Sequence, residues 1–122
     1  MTHPAPNPSP APTALPEAVQ RYLNGRDAGA PSAAAAPFAE GAVVEDDGRT
    51  HRGRAEIAAW RTGAASAFRY TSTRLATTVE AARVVLVDRL EGDFPGGRVD
   101  LTSVFTLDET GAIAALRIAV AD

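Results

Sequence analysis

The chain of 122 residues contains no cysteine, and its twelve basic residues are all arginine. The absence of cysteine excludes disulfides, thiolate nucleophiles and cysteine-based metal sites. No run of about 18 apolar residues is present, so the sequence predicts no membrane-spanning helix. The N-terminus also lacks a cationic segment followed by an apolar one, so we expect no secretion signal and a cytoplasmic protein.

Signals for several common kinds of site are also missing. The formal net charge is −3 and the arginines form no basic stripe, so no nucleic-acid partner is predicted. The two histidines, His3 and His51, have no carboxylate at helical spacing, so we expect no metal and no cofactor. Ser66, Ser72 and Ser103 lack a G-x-S-x-G context, and no phosphate-binding glycine motif occurs.

The length of the chain predicts one domain at residues 15–122, preceded by a tail at residues 1–14. Five prolines alternate with small or polar residues in that tail. Such a stretch sustains neither a helix nor a regular strand, so it is interpreted as an extended or disordered segment. A proline-rich ligand for another protein's binding domain is the alternative.

Three stretches predict helices. The first begins at Pro16 and ends near residues 24–25, and the second runs from Pro31 towards Phe38 until Pro37 kinks or ends it. The third covers about residues 54–65. Apolar residues recur at helical spacing on the first and third, as Val19, Tyr22 and Leu23 and as Ile57, Trp60 and Ala64.

Period-two patterns predict the strands. Between the second and third helices, an apolar run at residues 42–44 leads into acidic residues and the Asp47-Gly48 turn. A short return strand at residues 50–52 follows that turn. Four longer strands are predicted at residues 68–75, 83–91, 99–107 and 113–120. Helices first and strands later indicate an α+β domain with one sheet over a helical layer.

The order and spacing of these elements resemble a known superfamily. The segments FAEGAVVEDDGRTHRGRAEIAAW at 38–60 and GDFPGGRVDLTSVFTLDETGAIAALRI at 92–118 are similar to the SnoaL-like branch of the nuclear transport factor 2 superfamily. The resemblance implies a cone-shaped fold in which three N-terminal helices pack on a curved, mostly antiparallel sheet and enclose a pocket. It also implies a homodimer that pairs through the sheet.

One part of the resemblance is to ketosteroid isomerase. AVQRYLNGRDAG at 18–29 and AVVEDDG at 42–48 place Tyr22 on that enzyme's oxyanion-donor tyrosine and Asp46 on its proton-shuttling aspartate. The handling of a proton α to a carbonyl by such a pair is established for that enzyme. Its protonated aspartate falls on Ser103 here, a weaker donor, and Asp100 is expected on the other side of the strand.

A comparison with limonene epoxide hydrolase is less favourable. Arg89 and Glu91 resemble that family's central Arg-x-Asp, but its other aspartate falls near Ile118, which is neither an acid nor a base. Asp88 and Arg89 are interpreted as solvent or dimer-face charges, with a ligand contact as the alternative. His51 is interpreted as a structural or rim residue.

The sequence therefore predicts a pocket for a small apolar molecule, with Asp46 as general base, Tyr22 as donor and Ser103 as helper. Alternatives are a turn-capping role for Asp46 and a core role for Tyr22. The expected wall of the pocket consists of Phe38, Val44, Trp60, Phe68, Tyr70, Leu101 and Phe105. Proton-transfer isomerisation, cyclisation or dehydration is the first hypothesis. A non-catalytic ligand-binding or dimerising module of the same fold is the second, and a partner-binding protein that uses the sheet face is the third.

Overall fold

The computed structural model describes residues 14–67 and 69–121, with the side chains of residues 64–67 excepted. Most of the predicted tail, His3, Phe68 and the side chains of Ala64 and Ser66 lie outside this description. The elements are the helices α1 (Glu17–Asp27), α2 (Pro31–Ala35) and α3 (Gly53–Ala67) and the strands β1 (Phe38–Asp46), β2 (Arg49–Arg52), β3 (Tyr70–Glu80), β4 (Arg83–Gly92), β5 (Arg98–Leu107) and β6 (Ile113–Val120).

The six strands form one sheet in the order β2-β1-β6-β5-β4-β3. Only the β1–β6 pair is parallel among the described pairings, and the other four are antiparallel. The α+β class and the mostly antiparallel sheet are therefore confirmed. All three predicted helices are present, but only α1 and α2 precede the sheet, because α3 follows the first two strands.

The hairpin between β1 and β2 forms where the sequence predicted a turn. Asp47 and Gly48 both have positive φ angles, of 53° and 74°. Two consecutive positive φ values are the signature of a type I′ turn, whose twist matches that of a two-stranded ribbon and which Asp-Gly favours. The turn leads through β2 directly into α3, where the Glu56 carboxylate accepts a hydrogen bond from the Arg52 backbone N–H at 2.7 Å.

One helix end differs from its predicted position. Helix α1 continues past Gly25 to Asp27, whereas α2 ends at Ala35, before Pro37, as predicted. Gly25 lies inside α1 because α2 crosses there: a Cβ on Gly25 would stand 2.5 Å from the Ala34 backbone nitrogen. The glycine thus marks a close helix crossing and not a helix end.

The core lies between the helices and one face of the sheet. Helix α1 contributes Val19, Tyr22 and Leu23 at the predicted spacing, and α3 contributes Ile57. Among the residues whose side chains the structure describes, the buried apolar ones are Val19, Tyr22, Leu23, Ala34, Ala35, Phe38, Ala42, Val44, Ile57, Val84, Leu86, Phe105, Ile113 and Leu116. This set covers one end of the inner face and leaves the other end to the site described below.

Candidate functional site

The inner face of the sheet is ordered in rows, because residues paired across strands share a face. One row joins Val44, Leu116, Phe105 and Val84, all of them buried. Two residues further along the strands, the next row joins Asp46, Ile118, Ser103 and Leu86. Within one step of the pleat the inner face thus gains two polar side chains, Asp46 and Ser103, whereas Leu86 at the other end of the second row still belongs to the core.

A cavity of about 750 Å³, partly open to solvent, lies over the second of these rows. Helices α1 and α3 and the β1–β2 hairpin supply its other walls. Its lining consists of Tyr22, Arg26, Asp46, Asp47, Arg49, His51, Glu56, Ala59, Trp60, Arg61, Gly63, Tyr70, Asp88, Leu90, Leu101, Ser103 and Ile118. Tyr22, Asp46 and Ser103 therefore share one cavity, although they are far apart in the sequence.

Asp46 is the last residue of β1 and is held from α3. The indole Nε1 of Trp60 donates a hydrogen bond to Asp46 Oδ2 at 3.0 Å. The His51 ring stacks on the indole, with ring centroids 5.7 Å apart and an angle of 28° between the planes. Asp46 Oδ1 accepts no hydrogen bond from the described part of the chain, so this oxygen is available to a ligand.

Tyr22 enters the cavity from α1. Its ring packs edge-on against Phe38 at 5.5 Å and Phe105 at 5.7 Å, and its side chain is 2% exposed. Burial raises the pKa of Tyr22 above its usual value, and the positive charges of Arg61 and Arg26 oppose this only in part. The phenol consequently keeps its proton at neutral pH. Buried tyrosine hydroxyls usually have a hydrogen-bond partner, yet residues 14–67 and 69–121 provide none for this one.

Ser103 and Asp100 lie on opposite faces of β5. Ser103 lines the cavity beside Ile118, its partner on β6. Asp100 instead accepts hydrogen bonds from Arg89 on the outer face, with Nε–Oδ1 at 2.8 Å and Nη2–Oδ2 at 3.1 Å. A serine hydroxyl can donate one hydrogen bond into the cavity, as a weaker donor than a protonated carboxyl group.

The interpretation of Asp88 as a surface charge is wrong. Asp88 is 5% exposed, lines the cavity and accepts a hydrogen bond from Arg74 Nε on β3. The signal was present, because Asp88 follows Val84 and Leu86 at period two. A bulge on β3, where the register shifts between Arg74 and Ala76, places Arg74 opposite Asp88.

Two further arginines of the cavity were also missed. Arg61 follows Trp60 on α3, is 8% exposed and lies with its guanidinium carbon 4.8 Å from the centroid of the Trp60 ring. Arg26 follows Val19 by seven residues on α1, so it extends the buried face of that helix towards the cavity. The i, i+3, i+4 spacing of Ile57, Trp60 and Arg61 could have revealed the first of them.

The expected wall residues divide into two groups. Trp60, Tyr70 and Leu101 line the cavity. Phe38, Val44 and Phe105 do not belong to its lining in the described part of the chain; they are core residues at 0%, 0% and 1% exposure. The period-two pattern predicts the correct face for Val44 and Phe105. It does not show whether a residue on that face lies in the core or at the cavity.

Residues 14–67 and 69–121 hold no group of three histidine, cysteine, aspartate or glutamate side chains arranged to bind a metal ion. No helix in the same residues is both long and apolar enough to cross a membrane.

A sequence profile of the SnoaL-like domain matches residues 19–116. This match spans both helices and strands of the site, from α1 to β6. Among curated proteins, none matches the chain.

Solved structures from several bacteria are similar to this fold. A Sinorhizobium meliloti protein provisionally described as a polyketide cyclase is 35% identical, with a TM-score of 0.78, and the match covers 86% of this chain and 95% of that one. A Catenulispora acidiphila protein with a ketosteroid isomerase-like fold, solved with trimethylamine, is 18% identical, with a TM-score of 0.74 and coverage of 87% and 86%. An epoxide hydrolase/cyclase-like enzyme of pyran ring formation in salinomycin is 22% identical, with a TM-score of 0.71 and coverage of 86% and 88%.

Proposed function

The chain belongs to the SnoaL-like domain family, and we propose that it binds a small, largely apolar carbonyl compound and moves a proton on it. Isomerisation and cyclisation are the reactions that such a step serves best. The observation that carries the proposal is the meeting of Asp46 and Tyr22, a base and a protonated donor, on one cavity. The Sinorhizobium meliloti relative, at 35% identity, supports the cyclase form of the reaction.

Asp46 is placed to act as the general base. The hydrogen bond from Trp60 fixes the carboxylate through Oδ2 and leaves Oδ1 free to approach a C–H bond α to the substrate carbonyl. A carboxylate that is already oriented loses little entropy when the substrate arrives. We propose that Oδ1 takes this proton while the C–H electron pair moves into the carbonyl group to form an enolate.

Tyr22 is placed to stabilise the enolate oxygen. Its pKa is raised by burial, so the hydroxyl remains a donor throughout the neutral range. A buried donor aimed at a developing negative charge strengthens in the transition state, which is the requirement for catalysis. Ser103, on the facing strand, is proposed as a second and weaker donor.

The enolate then has two outcomes, and the substrate decides between them. If Asp46 returns its proton to another carbon of the conjugated system, the product is an isomer. If the enolate carbon attacks an electrophilic carbon of the same molecule, a ring closes and the proton goes to the oxygen that becomes negative. The lining includes Ile118 beside Asp46 and Leu101 beside Asp88, and both suit an apolar carbon skeleton.

The second candidate function is a non-catalytic ligand carrier of the same fold. It is favoured by Ser103, because the residue that joins the tyrosine in ketosteroid isomerase is here a weaker donor. In a carrier, Tyr22 and Asp46 would bind polar groups of the ligand without proton transfer. The two functions differ in one measurable respect, since only the enzyme exchanges α-protons of its ligand with water.

We also propose that two copies pair through the outer face of the sheet. Val85, Val87 and Val104 are half-buried there in the single chain, around the Arg89–Asp100 ion pair. A sedimentation-velocity experiment on wild type and Val87→Asp tests this surface. A dimer that becomes a monomer in the variant is the expected result, and a wild-type monomer at micromolar concentration would contradict the pairing.

The site itself is tested by titration with 2-naphthol, a phenol that imitates an enolate, read by its absorbance. Wild type is compared with Tyr22→Phe and Asp46→Asn. We expect Tyr22→Phe to weaken binding about tenfold, because a hydrogen bond to a charged group is lost. Asp46→Asn is expected to strengthen binding, because it removes a negative charge beside the bound oxygen. Equal affinity of wild type and Tyr22→Phe would refute the donor role.

A further inference from the structure

A second cavity of about 650 Å³ adjoins the first and is markedly basic. The two cavities share Arg26, Arg61, Tyr70 and Asp88, so one ligand could occupy both. The full lining of the second is Arg26, Asp27, Gly29, Arg61, Arg69, Tyr70, Ser72, Arg74 and Asp88. It therefore carries four arginines against two aspartates.

The two aspartates are already paired. Asp27 accepts a hydrogen bond from Arg26 at 3.0 Å, and Asp88 accepts one from Arg74. Arg61 makes no hydrogen bond and no ion pair with the described residues. Its guanidinium lies over the Trp60 ring, and its charge acts on Tyr22. Two cationic pairs are thus complete. Arg61 and Arg69 lack an anion among the described residues, and of these two only Arg61 is buried.

Arg61 is 8% exposed, so its missing partner has energetic weight. Placing an unpaired charge in a poorly solvated site is unfavourable, and proteins usually pair such groups. An aromatic face offsets part of this cost but supplies no acceptor for the five N–H donors of a guanidinium. The planar fork of arginine fits the two oxygens of a carboxylate, and it fits phosphate and sulfonate oxygens as well.

We infer that the second cavity is an anion subsite, in which Arg61, assisted by Arg26, binds an oxyanion at one end of the ligand. This inference rests on the proposed function for the other end, where the carbonyl group meets Tyr22 and Asp46. The Trp60 indole contacts both Asp46 and Arg61, so it links the two parts of the site. The proposed substrate class is an apolar carbonyl compound that also carries a carboxylate or related oxyanion.

The test compares 2-naphthol with 6-hydroxy-2-naphthoate, which adds a carboxylate at the far end of the same ring system. Binding is measured by calorimetry for wild type, Arg61→Gln and Arg117→Gln. Arg117 is the control, because it carries the same charge but is exposed on β6 and lines neither cavity. We expect wild type to bind the naphthoate about ten times more tightly than the naphthol.

The same gain is expected in Arg117→Gln, whereas in Arg61→Gln the two compounds should bind alike. If Arg61→Gln does not fold, as judged by circular dichroism, Arg26→Gln takes its place and should lose part of the gain. 6-Hydroxynaphthalene-2-sulfonate distinguishes the anions. A gain shared by the sulfonate supports a site for oxyanions in general, and a gain confined to the naphthoate supports a carboxylate site.

Equal binding of both compounds to wild type would overturn the anion subsite, and so would a gain that survives in Arg61→Gln. The proposed function fails separately, through a 2-naphthol affinity that does not change in Tyr22→Phe. A carboxylate gain that depends on Arg61, together with such a failure, would keep the anion subsite and remove the donor role of Tyr22.

Discussion

Asp88 and Arg89 are neighbours on β4 and point to opposite faces of the sheet, and their surroundings differ. On the outer face, Arg89 and Asp100 form a two-point ion pair in which both side chains are about a third exposed, at 32% and 31%. On the inner face, Asp88 is buried and paired with Arg74, and Arg61 remains without a carboxylate among the described residues. The Arg89–Asp100 pair on the outer face thus satisfies both of its charges, whereas Arg61 on the inner side has donors left over for a ligand among the described residues.

The largest expected effect comes from breaking the inner pair. Arg74→Met leaves Asp88 as a buried carboxylate without its cation, and we expect the free energy of unfolding to fall by about 2 kcal/mol. This is below the usual range for buried pairs because Arg74 is itself 32% exposed. Urea denaturation measures the loss.

The matched control is Arg83→Met, since the Arg83–Glu80 pair is more than half exposed and its atoms are 3.7 Å apart. Surface pairs of this kind contribute little. An unfolding free energy that falls as much in Arg83→Met as in Arg74→Met would contradict the distinction between the two environments.

The next effect concerns Tyr22 at alkaline pH. Its pKa is raised in the folded chain by burial, so the unfolded chain ionises first as the pH rises above 10. Stability that is fully present below pH 10 is then lost with a slope of about 1.4 kcal/mol per pH unit until the folded pKa is reached. Tyr22→Phe should remove this loss in guanidinium unfolding curves between pH 9 and 11. Parallel curves for wild type and variant would refute it.

The smallest effect is expected at the outer pair and at acid pH. The Arg89 guanidinium holds the pKa of Asp100 below its usual 3.8. The stability from this pair is present above pH 3.8 and is lost as the pH falls through the lowered pKa. In Asp100→Asn, the melting temperature should therefore fall less steeply as the pH is lowered below 3.8, while ligand binding stays unchanged. A melting temperature that falls as steeply as in wild type would show that the pair contributes nothing.

Local patterns predicted most of the framework. Asp47-Gly48 marked its turn because only residues that tolerate positive φ fit there, and period two fixed the faces of β4 and β5. Strand β3 is longer than the predicted 68–75, because its second half pairs with β4 after a bulge. That pairing depends on the partner strand, although the β-branched residues Thr77, Thr78 and Val79 also favour a strand locally.

The site was partly predictable. Tyr22, Asp46 and Ser103 were chosen through a family resemblance, and the fold brings them to one cavity. The period-two alternation of β4 also places Asp88 on the inner face, although charged residues more often face solvent. The period-two pattern could not distinguish a core role for Phe105 from a cavity role for Ser103, because both side chains face inward. Which of them reaches the cavity depends on the row of paired residues across the strands to which each belongs.

The most direct test of the acid–base role is deuterium uptake. Wild type and Asp46→Asn are incubated with 2-acetylnaphthalene in D₂O, and the α-proton signal is followed by NMR. We predict that this signal disappears faster with the wild-type protein than in buffer alone. With Asp46→Asn, the α-protons of the ketone should exchange about 100-fold more slowly than with wild type. An undiminished rate in Asp46→Asn, or no acceleration by a wild-type protein that has been shown to bind the ketone, would contradict the proton-transfer role.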